Sequence, residues 1–336
     1  MDAKAREIYE IVERAVAGNG LPDEDIRTLY AVDPHSREAH HIHWAGNELS
    51  LKASDGKAEI HAQIGLNGTP CPKNCLFCSF ALCNGVRKGK LEMPREYVID
   101  FAQRYEEQGA NAILILSTAS YRFELFLEMA AAVRAVISPE MPLLANVEDM
   151  TLEQARQLKA AGVNGCYHAV RMGEGVVTTI PVETRLQTIA NIHAAGLTLS
   201  TCVEPIGPEH TPEELTEKTR ICIDATPLSA GCGRRVPVPG TALFSHGAIS
   251  ALHNALYVAV YRLASGLEPR LNCAAGTDLV ASAGGNLAWA EVGANPRDTE
   301  QLTEKGGRGR DIAFYRELYT NADWEILEGP SPGWIL

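Results

Sequence analysis

Three cysteines lie within eight positions of this 336-residue chain, in the segment GTPCPKNCLFCSF. Cys71, Cys75 and Cys78 have the spacing C-x3-C-x2-C, and the aromatic residue Phe77 precedes the third thiol. A structural zinc site usually takes four ligands, often as two separated C-x2-C pairs, whereas soft thiolates also bind iron–sulfur clusters. A four-iron cluster with three protein ligands keeps one iron open for a small molecule. The spacing therefore favours a 4Fe-4S cluster; the alternatives are a zinc knuckle, a non-catalytic iron–sulfur or zinc scaffold, and a chance grouping.

Composition and charge exclude several classes of partner. The net charge of −12 argues against a nucleic-acid backbone or an anionic membrane surface. The opening segment MDAKAREIYEIVERAV carries charges at helical spacing and does not resemble a signal peptide, and no run approaches about 18 apolar residues. Nine cysteines suit reduced thiols or metal ligands better than a disulfide framework. We expect a cytoplasmic protein that binds neither nucleic acid nor membrane.

Short apolar runs alternate with amphipathic stretches from residue 60 onward, and these elements must position the cysteines. Thr151 and Thr211 begin capping boxes, while Gly162 and Gly196 end helices that lead into strands. Eight strand candidates of this kind predict a parallel sheet that is buried on both faces. They close most naturally into a (βα)8 TIM-type barrel with its site at the carboxyl ends of the strands. A doubly wound open sheet is the alternative. The runs are EIHAQIGL, AILILS, PLLANV, GCYHAV, LTLSTCV, RRVPVPG, PRLNCAAG and NLAWAEVG.

The chain divides into three segments. The first 50 residues are polar, with one apolar stripe at helical spacing formed by Ile8, Ile11, Val12, Ala15 and Val16. We predict an N-terminal helical extension over residues 1–55, the barrel over 56–325 and a C-terminal tail over 326–336. Nothing of low complexity separates a second domain.

The spacing C-x3-C-x-aromatic-C resembles the signature of the radical S-adenosyl-L-methionine (SAM) superfamily. The resemblance implies that Cys71, Cys75 and Cys78 hold a 4Fe-4S cluster whose open iron binds the amino and carboxylate groups of SAM. It implies further that the reduced cluster cleaves SAM to a 5′-deoxyadenosyl radical and that Phe77 lies along the adenine. An electron donor such as ferredoxin or flavodoxin is part of the same expectation.

The resemblance extends over about residues 45–320 to the group that holds biotin synthase, methylornithine synthase, the diiron-hydrogenase maturase and the two-component lipoyl synthases. RRVPVPGTAL resembles the sixth strand of that group, which implies that Val236 lies against adenine. LSTAS takes the place of a small-residue stretch, so Ser117 and Thr118 are expected at the amino group of SAM. YHAVRMGEG resembles the maturase pattern, which assigns Arg171 to the methionine carboxylate and Glu174 to the ribose hydroxyls.

The reaction that follows radical formation depends on the remaining thiols. PRLNCAAG resembles a biotin synthase strand and aligns Arg270 with an arginine that ligates an auxiliary cluster. Cys202 shares strand parity with Ser200, and Cys232 and Cys273 lie at later strands. We therefore expect a second iron–sulfur cluster at Cys202, Cys232, Cys273 and Arg270, serving sulfur insertion at an unactivated carbon as in lipoyl synthase or biotin synthase. The alternative is a carbon-skeleton rearrangement or metallocofactor assembly without that cluster. The substrate is a small molecule or is bound to a carrier protein.

Overall fold

The computed structural model describes residues 3–273 and 276–334. Its strands are β1 Lys57–Gly65, β2 Ala112–Leu116, β3 Leu143–Asn146, β4 Gly165–Tyr167, β5 Thr198–Ser200, β6 Val203–Ile206, β7 Ser229–Arg234, β8 Leu271–Cys273, β9 Leu287–Gly293 and β10 Glu325–Ile326. Its helices are α1 Ala3–Ala15, α2 Asp23–Tyr30, α3 Arg37–Ala53, α4 Arg95–Glu107, α5 Phe123–Arg134, α6 Leu152–Ala160, α7 Val182–Ala194, α8 Pro212–Asp224, α9 Ala251–Ser265, α10 Asp278–Ser282 and α11 Ile312–Asn321.

The strands form a closed parallel barrel. Its order is β1, β2, β3, β4, β5, β7, β8 and β9, and β9 pairs with β1 to close the ring. Strand β6 continues beyond β5 at the same position in the ring and pairs with β7. The ring thus has eight positions surrounded by helices, which confirms the TIM-type (βα)8 fold and rejects the open doubly wound sheet.

Successive side chains of β1 alternate between two environments, the apolar layer beneath the helices and the polar interior of the barrel. Ala58, Ile60, Ala62 and Ile64 are fully buried in the layer between the strands and the helices. The intervening side chains face inward, since Gln63 donates to Glu291 on β9 and the ring of His61 packs edge-on against Trp289. The apolar layer holds the barrel together, while the interior carries polar groups.

Local capping signals in the sequence are confirmed. Thr151 with Gln154 begins α6 and Thr211 with Glu214 begins α8, each as a reciprocal capping box. Gly162 and Gly196 follow α6 and α7 with φ angles of +90° and +69°, which only glycine adopts without strain. These helix ends set the lengths of the loops that connect α6 to β4 and α7 to β5.

The first three helices share a core with two helices of the barrel. Ile8 and Ile11 of α1, Ile42 of α3, Leu215 of α8 and Leu256 of α9 are buried in one apolar cluster. This layer therefore covers one side of the barrel. Among the described residues no helix is long and apolar enough to cross a membrane.

The C-terminal segment closes the amino end of the barrel. Strand β10 pairs with Lys57 and Ala58 at the beginning of β1. Trp334 is fully buried against Leu114 and Leu144 of the barrel interior. A Cβ atom on Gly165 would lie 2.7 Å from its indole ring, so the glycine makes room for the tryptophan. The barrel consequently opens to solvent at its carboxyl end, where the chemistry of this fold belongs.

Candidate active site

One cavity of about 940 Å³ occupies the carboxyl end of the barrel and reaches into its interior. Every barrel position contributes to its wall, either through the strand itself or through the loop that follows it. The strand and strand-end residues in the wall include Gln63, Leu116, Asn146, Tyr167, Cys202, Gly233, Cys273 and Glu291. The cavity is therefore the candidate active site.

The loop between β1 and α4 brings the three clustered cysteines to this cavity. Cys71, Cys75 and Cys78 all lie in its wall. The Cys71 amide donates to the Phe80 carbonyl at 2.7 Å, and the Leu82 amide donates back to the Cys71 carbonyl at 3.0 Å. The Cys78 amide donates to the Cys75 carbonyl at 2.9 Å, which tightens the turn between these two thiols. These backbone hydrogen bonds hold the loop in shape, together with one from the Phe80 amide to the Cys78 sulfur at 3.4 Å.

Asn84 clamps the same loop from its far end. Its side-chain amide donates to the carbonyl groups of Cys78 at 2.9 Å, Leu76 at 3.3 Å and Cys75 at 3.5 Å. Its side-chain oxygen accepts the amide of Ala242 at 3.1 Å, in the loop after β7. One side chain thus joins the cysteine loop to the segment that carries Val236. The sequence analysis did not single out this residue.

Asn84→Asp is expected to lower the iron content of the reconstituted protein. The exchange keeps the size of the side chain but replaces the donating amide by an acceptor that faces carbonyl oxygens, and each lost bond to a buried group costs about 1–3 kcal/mol. Colorimetric iron assay after anaerobic reconstitution measures the effect. Asn191→Asp is the matched control, since its amide donates to the Met150 carbonyl at 2.9 Å, outside the cavity wall. Equal iron in wild type and Asn84→Asp would contradict the clamp.

The three thiols at one cavity are the donor type that iron–sulfur clusters take. Among residues 3–273 and 276–334 no group of three or more His, Cys, Asp or Glu side chains is arranged to hold one metal ion. In a cluster the three thiolates bind three different irons, so they are spaced more widely than the ligands of one ion. Burial raises the pKa of Cys75 to about 11 and that of Cys78 to about 12, so metal binding at neutral pH must displace their protons.

Five further residues that the sequence singled out line the same cavity: Phe77, Ser117, Thr118, Arg171 and Val236. They come from the cysteine loop, the carboxyl end of β2, the loop after β4 and the segment after β7. Asn67 fixes the position of Thr118 by accepting its amide at 2.9 Å and donating to its hydroxyl at 2.8 Å. Four separate parts of the chain thus converge on one wall.

Arg171 forms an ion pair inside the cavity. Its guanidinium donates to the Glu204 carboxylate at 2.5 Å, and the Tyr167 hydroxyl donates to the same oxygen. Burial by itself would raise the pKa of Glu204, but the charge of Arg171 and the two hydrogen bonds hold it below its usual value. Glu204 is therefore an anion in the cavity wall.

Comparison with known proteins identifies relatives. No protein-family model matches the chain. The biotin synthase of Mycolicibacterium paratuberculosis is 26% identical over 252 residues, covering 73% of this chain and 69% of the relative. The biotin synthase of Nitrosopumilus maritimus is 25% identical over 244 residues, covering 70% and 74%. These relatives support the resemblance of the chain to the biotin synthase-like group of the radical SAM superfamily.

Two solved structures share the barrel fold of this protein. Methylornithine synthase superposes with a TM-score of 0.76 at 16% identity, covering 96% of this chain and 97% of that one. A maturase of the FeFe-hydrogenase gives a TM-score of 0.76 at 14% identity, covering 94% and 74%. Both likenesses concern the fold. The resemblance to the radical SAM superfamily implies a 4Fe-4S cluster and SAM.

Glu174, which the resemblance assigned to the ribose hydroxyls of SAM, does not line the cavity. Its carboxylate accepts from the Arg171 amide at 3.0 Å, from Arg185 at 3.1 Å and from the Thr178 hydroxyl at 2.5 Å. The loop after β4 turns this side chain toward α7, where it is buried. Glu174 positions Arg171 from behind.

The proposed auxiliary-cluster ligands do not converge either. Cys202 and Cys273 line the cavity, whereas Cys232 and Arg270 do not. Cys232 points outward from β7, with its sulfur 3.7 Å from the Tyr30 hydroxyl in the helical layer. Arg270 precedes β8 at the amino end of the barrel and pairs there with the buried Glu59. The structure thus brings two of the four residues to the cavity and places the other two elsewhere in the fold.

The inner wall contains residues that the sequence analysis missed. Glu204, Trp289, Glu291 and Arg297 all line the cavity, and Glu291 accepts from Gln63 at 3.3 Å and from Arg297. One signal was present in the closing strand LAWAEVG, because a carboxylate two residues after a tryptophan in an otherwise apolar run lies on the interior face.

Proposed function

We propose that this protein is a radical SAM enzyme that binds a 4Fe-4S cluster through Cys71, Cys75 and Cys78 and abstracts hydrogen from a small or carrier-bound substrate inside the barrel. One observation carries the proposal. The three thiols share a single cavity with Phe77, Ser117, Thr118, Arg171 and Val236, five of the six residues that the radical SAM resemblance assigned to SAM, although these residues come from separate parts of the chain.

Cys71, Cys75 and Cys78 would hold the cluster, which, once reduced by a donor of the ferredoxin or flavodoxin class, would supply the electron for cleavage of SAM to methionine and a 5′-deoxyadenosyl radical. Arg171 holds the methionine carboxylate, because a guanidinium matches a carboxylate with two parallel hydrogen bonds. Its pairing with Glu204 keeps the guanidinium charged and oriented in the buried wall. Ser117 and Thr118 provide hydroxyl and backbone oxygens for the amino group.

Phe77 and Val236 provide apolar contacts for adenine, and Asn84 links the segments that carry them. Deeper in the cavity, Tyr167 and Trp289 present aromatic surface between the carboxylates of Glu204 and Glu291. A radical formed at the mouth is therefore enclosed by protein groups and faces a polar interior. This interior is where we place the substrate.

We propose further that the reaction uses one cluster and belongs to the rearrangement or cofactor-assembly class. Only two of the four residues assigned to an auxiliary cluster line the cavity, and Cys232 and Arg270 contact other parts of the fold. Sulfur insertion of the lipoyl synthase or biotin synthase kind is the second candidate, supported by the thiols of Cys202 and Cys273 in the inner wall.

Iron stoichiometry and SAM cleavage test both statements. After anaerobic reconstitution we expect about four irons per chain, as for one cluster, together with 5′-deoxyadenosine formation from SAM and dithionite. The variant Cys71→Ala/Cys75→Ala/Cys78→Ala is expected to retain no iron. About eight irons in wild type, with about four retained by the triple variant, would favour sulfur insertion. Iron-free wild-type protein would contradict the enzyme assignment.

A further inference from the structure

Two thiols of the cavity have no part in holding the cluster, and their hydrogen bonds differ. Cys202 donates its S–H hydrogen to the Gly231 carbonyl at 3.2 Å. Cys273 instead accepts the indole N–H of Trp289 at 3.1 Å through its sulfur. Among the described residues Cys273 makes no hydrogen bond in which it donates, so its S–H hydrogen is available to the cavity that it lines.

The two thiols lie at one level of the barrel. Gly231 is paired in register with Cys273, and a Cβ atom on Gly231 would lie 1.9 Å from the Cys273 carbonyl oxygen. Glycine at this position lets the β7 and β8 backbones lie close together. Cys202 occupies the other side of Gly231, and two residues beyond it Glu204 pairs with Arg171 of the SAM wall. The two thiols therefore lie deeper in the barrel than the Arg171–Glu204 ion pair, by two residues along the strand.

The environment keeps Cys273 protonated. Burial raises its pKa to about 12, although the hydrogen bond from Trp289 opposes the rise. A neutral S–H group is the form that can give up a hydrogen atom, and its bond is weaker than an alkyl C–H bond. Transfer from this thiol to a carbon-centred radical is therefore downhill.

We propose that Cys273 is a catalytic hydrogen-atom donor that quenches a carbon radical inside the barrel, an inference that rests on the proposed function. The S–H bond of Cys273 breaks homolytically and a C–H bond forms on the substrate-derived radical, which leaves a neutral thiyl radical. One electron from a ferredoxin- or flavodoxin-class donor and one proton from water restore the thiol. Trp289 holds the sulfur toward the cavity during this cycle.

The test uses SAM alone, so that it needs no identified substrate. The reconstituted, dithionite-reduced protein cleaves SAM in D2O, where the thiols carry deuterium, and mass spectrometry measures the deuterium in 5′-deoxyadenosine. In the empty interior the radical takes its hydrogen from the nearest weak bond. We expect monodeuterated product from wild type and loss of most of that label in Cys273→Ser, whose O–H bond is too strong to be broken. Cys202→Ser is the matched control and is expected to retain the label.

Each result tests one of two statements, the role of Cys273 as hydrogen-atom donor or the proposed function of the protein as a radical SAM enzyme. Equal label in wild type and Cys273→Ser, or equal loss in both serine variants, would overturn the role of Cys273 while leaving the enzyme assignment intact. Failure of wild type to form any 5′-deoxyadenosine would overturn the proposed function itself. Iron content and circular dichroism establish that the variants are folded and loaded.

A second measurement on reconstituted wild type needs no variant. Methyl methanethiosulfonate, a small thiol reagent, is expected to modify Cys273 faster than Cys202, which is more deeply buried and donates its hydrogen to Gly231. Peptide mass mapping gives the two rates. Faster modification of Cys202 would contradict the exposure of the Cys273 thiol to the cavity on which the donor role depends.

Discussion

Cys75→Ala is expected to abolish SAM cleavage while the chain stays folded. The thiolate is an iron ligand in the proposed cluster, and alanine removes it outright. The fold does not depend on that thiol, because the loop is held by the Cys75 carbonyl, which accepts from the Cys78 amide and from Asn84. Both bonds survive the exchange. Chromatographic assay of 5′-deoxyadenosine under reducing conditions, together with circular dichroism, gives the result.

Cys83→Ala is the matched control for that experiment. Cys83 lies in the same loop and is exposed. Within the part of the chain that the structure describes, its sulfur makes only long contacts of 3.9 Å, to the Asn74 carbonyl and the Asn84 side chain. We expect wild-type iron content and wild-type SAM cleavage from this variant. Undiminished 5′-deoxyadenosine formation by Cys75→Ala would remove the basis of the cluster assignment.

Arg171→Ala is expected to weaken SAM binding about ten- to a hundredfold, since losing a charge-assisted contact costs about 1.5–3 kcal/mol. Arg171→Lys should recover little of this, because an ammonium lacks the planar fork of the guanidinium. The variants also leave Glu204 without its partner. The double variant Arg171→Ala/Glu204→Gln removes that unpaired charge and isolates the contact to SAM. Equilibrium binding of SAM to reconstituted protein measures all three.

Arg234→Ala provides the comparison for the arginine variants. Arg234 lines the same cavity, and its guanidinium contacts only the Ile249 carbonyl, at 3.4 Å, among the described residues. We expect its removal to leave SAM affinity unchanged. If the two Arg171 variants bind SAM as tightly as wild type does, Arg171 has a different task in the cavity.

The barrel and the cysteine loop were predictable because their signals are local. Helix ends depend on residues three or four apart, as Thr151 with Gln154 shows, and strand runs depend on neighbouring apolar residues. The three cysteines lie on one short loop, so their spacing alone brings the thiols together. Parallel strands alternating with helices then require that this loop, which follows β1, lies at the carboxyl end of the barrel.

The auxiliary-cluster prediction depended on the phase and the exact start of each strand, which the sequence does not fix. Strand alternation correctly paired Cys202 with Ser200 on the interior face. The same alternation turns Cys232 outward, because Gly231 rather than Cys232 occupies the interior position of β7. Arg270 precedes the first residue of β8, which leaves it at the wrong end of the barrel.

The sequence by itself determined the (βα)8 class, the cysteine loop and most of the cavity wall near it, because these depend on short-range spacing and on alternation. Only the tertiary structure decided which side chains meet across the barrel. It directs Glu174 to Arg185 and away from the cavity, pairs Arg171 with Glu204, and seals the amino end with Trp334 of the segment expected to be a tail. Each of these contacts joins elements far apart in the chain, and their packing, not any local pattern, selects the partner.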